Sequence, residues 1–422
     1  MSEPKRDRPL AAIVLAAGQG KRMGAAVPKV LIETCGWAMV EHVLEAAAPL
    51  GAHPTVIVYG HGGESVRAAL AGRDLLFAEQ PEQRGTGHAV QCGLPALGLF
   101  DGDVVILCGD TPLLSHEVLR TLVDDHRASG RTLSVLSADL DDPGSLGRVV
   151  RGPDGEFVAI REAADASADE LALREINTGV IVVDARALGA ALHALRPDNQ
   201  QGELYLTDVP EILLEGVSDA QDGEGPRVGV VRCDDPGAAL GVNRPAELLE
   251  ATAQLRRRLL ERHAAAGVII EDPATTVVDA GVEIGAGTTL RPFTSIAKGA
   301  RIGKNCTLGP HVAVGPGSTL ADRVRVGAHS ELRGVTIEAG VRILGPARLV
   351  GAVIGSGAWL SPGVVSEGSA DGRIVIGERA HIGAGAVLVA PLTVGAEARV
   401  GQGKVVTHDV GAPASTENSK HA

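Results

Sequence analysis

The chain has 422 residues, with 39 Lys+Arg against 52 Asp+Glu, and so carries a formal charge of −13. That balance excludes binding to a nucleic-acid backbone by bulk charge, and a 45% hydrophobic content with 22% charged residues excludes disorder. Four Phe, two Trp and two Tyr are too few to fill a core, so aliphatics must do so, and the length predicts two or three domains.

No apolar run reaches the roughly 18 residues of a membrane span. The N-terminus places basic residues before an apolar run, as a secretion signal does. That run opens directly into a glycine-rich motif, however, and reads as a strand. Cys35, Cys92, Cys108, Cys233 and Cys306 are odd in number and scattered, with no C-x-x-C pair. Reduced thiols in a cytoplasmic protein are therefore expected.

In chain order, aliphatic runs at 11–16, 55–59, 104–108, 132–136 and 179–183 read as buried strands. Helical spacing lies between the early ones, as at 38–48. This alternation predicts a doubly wound, mostly parallel α/β sheet, Rossmann-like in layout, over residues 1–244. Residues 218–227 are acidic and contain Gly and Pro, and read as a surface loop. Pro245 opens a run of helix formers, and a linker helix is expected over 245–266.

From Val278 a step of six lands on Ile284, Leu290, Ile296, Ile302, Leu308, Val314, Leu320, Val326 and Leu332, all aliphatic. The register slips by one residue twice, at Ile337 and Ile354, and resumes at Ile376. A period of six is neither 2 nor 3.6, so a hairpin and a helix are both excluded. It predicts a parallel β-helix over 267–410, about seven coils of three hexapeptides each, followed by a disordered tail at 411–422. Residues 271–410 hold 24 of the 55 glycines but only Phe293 and Trp359 among the aromatics, as a narrow aliphatic lumen requires.

Chemistry concentrates after the first strand. In Leu15-Ala16-Ala17-Gly18-Gln19-Gly20-Lys21-Arg22-Met23, small residues let the backbone approach a nucleotide, and free N–H groups can meet phosphate oxygens. Arg22 and Lys29, the latter in Pro28-Lys29-Val30-Leu31, supply cations for a triphosphate and for charge that develops in phosphoryl transfer. A G-x-G alone is equally well a tight turn, and the G-x-G-x-x-G of dinucleotide binders is missing. Asp110 follows a buried strand, where a carboxylate faces the ligand crevice, although Asp-Thr-Pro is also a turn signal.

These motifs, together with VYGHGG, EQRGTGHAV, CGDTPLL, LGRVV, EINTG, QGELYLTD and GVNRP, resemble the sugar-phosphate nucleotidyltransferases. More narrowly, they resemble the bacterial bifunctional N-acetylglucosamine-1-phosphate uridylyltransferase/glucosamine-1-phosphate N-acetyltransferase family. The hexapeptide pattern resembles its left-handed β-helix. The resemblance implies uridylyl transfer from UTP to N-acetylglucosamine-1-phosphate, with Arg22 and Lys29 catalytic. It implies nucleotide contacts from Leu15, Ala17, Gly18, Gly20, Gln83, Gly85 and Thr86. Gly147, Glu162 and Asn177 match sugar-phosphate contacts. Asp110 and Asn243 match ligands of Mg²⁺, a hard cation suited to oxygen donors. His61 and His88 are expected to position rather than to move protons. A homotrimer through the β-helix is implied; no membrane or nucleic-acid partner is.

The second centre of that family departs from the pattern. Its Arg falls in Ala313–Gly315, its His at Gly345, its Tyr at Arg348, and its Asn-Tyr pair in Ser369–Asp371; none is present. Arg333 and Arg373 could still bind an anion, and His311, His329 and His381 are the remaining histidines on the coils. Loss of the acetyltransferase is expected, with acetyl-CoA a ligand only if that site works. Open alternatives are a rearranged acetyl site, another sugar-1-phosphate or NTP, and a catalytically dead assembly subunit.

Overall fold

The computed structural model describes residues 8–18, 20, 23–24, 27–60, 63–216, 227–368 and 372–412. Arg22, His61, the segment 369–371, most of the 218–227 loop and residues 413–422 lie outside the described residues. The chain forms two compact units: Met1–Thr34 with Ala38–Ala251, and Cys35–Trp37 with Thr252–Ala422.

The first unit is built on a nine-stranded sheet. Its strands are β1 (Leu10–Ala16), β2 (Thr55–Gly60), β3 (Leu76–Gln80), β4 (Asp103–Cys108), β5 (Leu133–Asp139), β6 (Arg148–Arg151), β7 (Phe157–Arg161), β8 (Glu175–Asp184) and β9 (Val228–Arg232). The order is β9-β5-β8-β4-β1-β2-β3, with the β6–β7 hairpin attached to β8. Along that order all neighbours are parallel except β8, which runs antiparallel to both β4 and β5; the β6–β7 hairpin is antiparallel within itself and to β8. Apolar side chains pack on both faces: Ala12, Val14, Val105 and Leu107 on one, Ala11, Ile13, Val104 and Ile106 on the other. Helices such as Met39–Ala47, Thr86–Gly93 and His116–Ala128 cover these faces. The layout is the expected doubly wound sheet. β1 and β4 are parallel neighbours, so Ala17–Gly18 and Asp110 emerge side by side at their C-terminal ends.

The linker helix spans Pro245–Ala265. Beyond it, strands of two to four residues stack in three parallel sheets of eight, eight and seven strands, forming a three-walled β-helix. Thr307 pairs with Arg325, a step of 18 residues; the next steps, to Arg342 and Trp359, are 17 each, as the slipped register requires. The step from Trp359 to His381 is 22.

The aliphatics Leu290, Ile296, Ile302, Leu308, Val314, Leu320, Val326 and Leu332 are all buried, while Ile284 in the first coil is half-buried. Each coil position also buries a second residue two places earlier, never larger than the first: Thr288, Thr294, Ala300, Cys306, Val312, Ser318, Val324 and Ser330. Thr288 Oγ1 donates to the Gly303 carbonyl at 2.8 Å and Ser330 Oγ to the Gly327 carbonyl at 2.8 Å, so these hydroxyls satisfy corner carbonyls. Leu308→Ala is expected to cost about 2–5 kcal/mol, read as a lowered urea midpoint, because neighbouring coils cannot collapse into the gap. An unchanged midpoint would show that Leu308 does not support the lumen.

Candidate functional site

A cleft of ≈ 250 Å³ opens at the C-terminal ends of β1 and β4. It is lined by Leu15, Ala17, Gly18, Gln83, Gly85, Thr86 and Asp110, seven of the residues singled out in the sequence, and by Gln80, Ala89, Cys108 and Glu203. Gln83 Nε2 donates to the Ala17 carbonyl and ties the glycine loop to the next wall of the cleft. Gly85 has φ of 102°, and a Cβ there would lie 2.5 Å from the Leu204 carbonyl oxygen, so only glycine fits. It precedes the helix Thr86–Gly93, whose first residue, Thr86, lines the cleft. Gln80 Nε2 donates to the Gly85 carbonyl at 3.0 Å. His88 is held by Gln80 and the Glu82 carbonyl.

Lys29 lies on a 3₁₀ turn and is buried. Its ammonium pairs with Asp110 Oδ2 and donates to Asn243 Oδ1 at 2.8 Å. A Cβ on Gly20, whose φ is 61°, would lie 2.7 Å from Lys29 Cβ; glycine thus permits the loop to pack against the lysine. Asn243 reaches Asp110 because Val242 N–H donates to the Asp110 carbonyl at 2.8 Å. Asn243 Nδ2 donates to the Gly241 carbonyl at 3.2 Å, which turns Oδ1 toward the cation. Glu247 accepts from the Asn243 and Arg244 N–H groups at 2.6 and 3.1 Å and caps the linker helix at this point.

The residues read as metal ligands therefore converge on one positive charge. A carboxylate and an amide oxygen are hard donors, and the lysine ammonium between them shows that the pair accepts a cation. Among the described residues, no cluster of three or more His, Cys, Asp or Glu could hold a metal. The two hard oxygens of Asp110 and Asn243 are of the donor type that a divalent ion takes.

A second cluster lies along β8. Asn177 N–H donates to the Gly147 carbonyl at 2.9 Å, and Asn177 Oδ1 accepts from Gly179 N–H at 3.0 Å, leaving Nδ2 without an acceptor among the described residues. Glu162 Oε1 accepts from Thr207 Oγ1 at 3.0 Å, while Oε2 leans over Gly147, 3.4 Å from where a Cβ would stand. Burial raises the Glu162 carboxyl above its ordinary range, the Thr207 hydrogen bond opposes this, and Asp165 and Glu203 add to the rise. Cys108 Sγ lines the first cleft and donates to the Gly179 carbonyl at 3.7 Å, so the two clusters share a wall. Burial, reinforced by the Asp110 carboxylate, pushes the Cys108 thiol up to about 12, which keeps it neutral and unfit as a nucleophile.

Gln80, Cys108, Glu203 and Thr207 escaped the sequence reading. Gln80 and Cys108 are the last residues of β3 and β4, where ligand-facing groups gather, and that rule could have found them. Glu203 and Thr207 stand in the QGELYLTD motif.

Residues 12–264 match the MobA-like NTP transferase domain family, and 299–334 match the bacterial transferase hexapeptide repeat. The chain is 39% identical to the bifunctional protein GlmU of Streptomyces avermitilis, over 96% of this chain and 90% of that one. The chain belongs to the GlmU family. GlmU of Shouchella clausii is 36% identical over 94% of both chains, and that of Mycolicibacterium gilvum 36% identical over 95% of this chain and 87% of that one. The first unit is thus a nucleotidyltransferase, and the hexapeptide coils form the left-handed β-helix of this GlmU relative. Among the described residues no helix is long and apolar enough to cross a membrane.

On the coils, Arg348 pairs with Glu331 at 3.5 Å and with Glu367, and Arg333 pairs with Glu331. Gly345 has φ of 58°, and a Cβ there would lie 2.7 Å from the Gly327 carbonyl carbon, so no side chain projects from that position. His311 is stacked between Phe293 and His329 at 4.5 and 4.8 Å, and His381 stacks on Trp359 at 6.3 Å.

Proposed function

We propose that this chain transfers the uridylyl group of UTP to N-acetylglucosamine-1-phosphate, with Mg²⁺ as the divalent ion, and that its acetyltransferase centre is degenerate. The observation that carries the reading is the convergence of Lys29, Asp110 and Asn243 at the glycine-lined cleft. In the reaction a phosphate oxygen of the sugar attacks the α-phosphorus, the bond to the bridging oxygen breaks, and pyrophosphate leaves with that electron pair. The attacking group is already an anion, so no general base is needed. Gly18, Gly20 and their neighbours cradle the triphosphate, Gln83 and Gly85 contact the base, and Thr86 lies at the helix start. Lys29, with Arg22, binds phosphate oxygens and stabilises the added negative charge. Bound Mg²⁺, held by Asp110 and Asn243, would supply further charge neutralisation at the phosphates. Glu162 and Asn177 present an acceptor and a donor to the sugar beside Gly147.

For the second centre, Gly345 offers no base, and Arg348 and Arg333 are engaged by glutamates. The β-helix then serves assembly: Val375, Val389 and Val405 face outward and suit packing between copies in a homotrimer. Among the described residues no cysteine forms a disulfide, which agrees with a reducing, cytoplasmic setting.

The test is pyrophosphate release over a panel of NTPs and sugar-1-phosphates. The expected optimum is UTP with N-acetylglucosamine-1-phosphate, dependent on divalent ion; an optimum elsewhere in the panel would replace the substrate. In the same preparation, acetyl-CoA with glucosamine-1-phosphate is expected to release free CoA no faster than a protein-free blank. Sugar-dependent CoA release would establish a rearranged acetyl site instead.

A further inference from the structure

One short segment touches both clusters of the first unit. Leu204 N–H donates to the Arg84 carbonyl and Gly87 N–H to the Leu204 carbonyl, each at 2.8 Å. Leu206 N–H donates to Thr86 Oγ1 at 3.1 Å. The next residue, Thr207, is buried, and its hydroxyl lies 3.0 Å from Glu162 Oε1. The backbone that carries Thr207 is thus fixed from one side by the nucleotide-facing segment 84–87.

From this geometry we infer that Thr207 is a positioning residue of the sugar site, whose hydroxyl locks Glu162 so that Oε2 is left to accept from a sugar hydroxyl. The inference rests on the nucleotidyltransferase reading and names what makes its sugar site selective. A carboxylate can only accept, so the single proton of the Thr207 hydroxyl is committed to Oε1. Without that donor, Glu162 stands half-buried with its charge disfavoured by burial and by the Asp165 and Glu203 carboxylates. The hydroxyl both fixes the rotamer and favours the ionised form. The neighbouring Asn177 is locked in the same manner by Gly179 N–H. One acceptor and one donor are therefore presented in fixed places, a pattern suited to a sugar hydroxyl next to a carbonyl or ring oxygen.

The test uses the full chain and the sugar-1-phosphate it turns over best, at saturating UTP. Thr207→Val keeps the shape and removes the donor. Its KM for the sugar phosphate is expected to rise about tenfold, the loss of one hydrogen bond to a charged group, with KM for UTP unchanged. Removal of a donor to the carboxylate raises the Glu162 pKa, so the acid limb of kcat/KM is expected to move up by about one pH unit. Thr207→Ser is expected to restore both. Glu162→Gln removes the titrating group, so adding Thr207→Val to it is expected to change KM less than twofold, roughly the limit of additivity error. The inference is overturned if Thr207→Val leaves KM and the acid limb unmoved, if serine fails to rescue, or if the two substitutions add in full. A wild-type chain that turns over no sugar-1-phosphate sinks the functional reading itself, and this inference with it.

Discussion

Asp110→Asn is expected to lower kcat for UDP-sugar formation by about a thousandfold, close to 4 kcal/mol of transition-state stabilisation. The substitution keeps the shape of the side chain and one oxygen, and it leaves the Asp110 carbonyl free to accept from Val242 N–H. The local fold is therefore preserved. What disappears is the negative charge that, beside the Asn243 oxygen, faces the Lys29 ammonium. An amide pair without charge holds a divalent ion weakly, so the residual activity is expected to need far more Mg²⁺ than the wild type. Pyrophosphate release measured across a Mg²⁺ titration separates these effects. Lost affinity alone would be recovered at high Mg²⁺, whereas lost charge stabilisation would persist at saturation. Wild-type turnover at ordinary Mg²⁺ would remove Asp110 from the centre.

Much of this arrangement was legible in the chain, for identifiable reasons. Strands buried on both faces, such as Leu10–Ala16 and Asp103–Cys108, read as unbroken aliphatic runs, and the six-residue period exposed the β-helix including its two slips. The direction of Glu175–Asp184 was not legible, because a doubly buried strand shows the same pattern whichever way it runs. The partly exposed strands Leu76–Gln80 and Val228–Arg232 lack that pattern. The second buried position of each coil was hidden by its chemistry: Thr288, Ser318 and Ser330 look like surface residues until their place in the lumen is seen. In the cleft, the glycine loop and Lys29 form a local pattern of small residues and a cation that is readable from the sequence. Asn243 lies 214 residues from Lys29, so its place rested on family resemblance alone. Thr207 lies 45 residues from Glu162, and no spacing rule links a hydroxyl to a carboxylate across that distance.

Lys29→Met is the harsher test of the cleft, with an expected loss in kcat of about a thousandfold or more, since a cation aimed at a transferring phosphoryl group ranks among the largest single contributions to such catalysis. Methionine matches the length and apolar stem of the buried side chain, so Gly20 still packs against Cβ and the 3₁₀ turn over Lys29–Leu31 is expected to persist. The substitution also leaves Asp110 and Asn243 Oδ1 without the ammonium that joins them. With that competing charge gone, divalent ions are expected to bind the variant at least as well as the wild type, by Mn²⁺ titration in the absence of nucleotide. The two readouts therefore move in opposite directions: turnover collapses while metal binding holds or improves. Lys29→Arg would not rescue turnover, because a planar guanidinium cannot place its charge where a single ammonium lies between two oxygens. If Lys29→Met kept wild-type kcat, the lysine would be only a structural counter-ion to Asp110, and the cation at the phosphates would have to come from another residue of the glycine loop. If metal binding fell together with turnover, the pair Asp110–Asn243 would depend on Lys29 for its geometry, which would overturn the reading of Lys29 as a charge that competes with the ion.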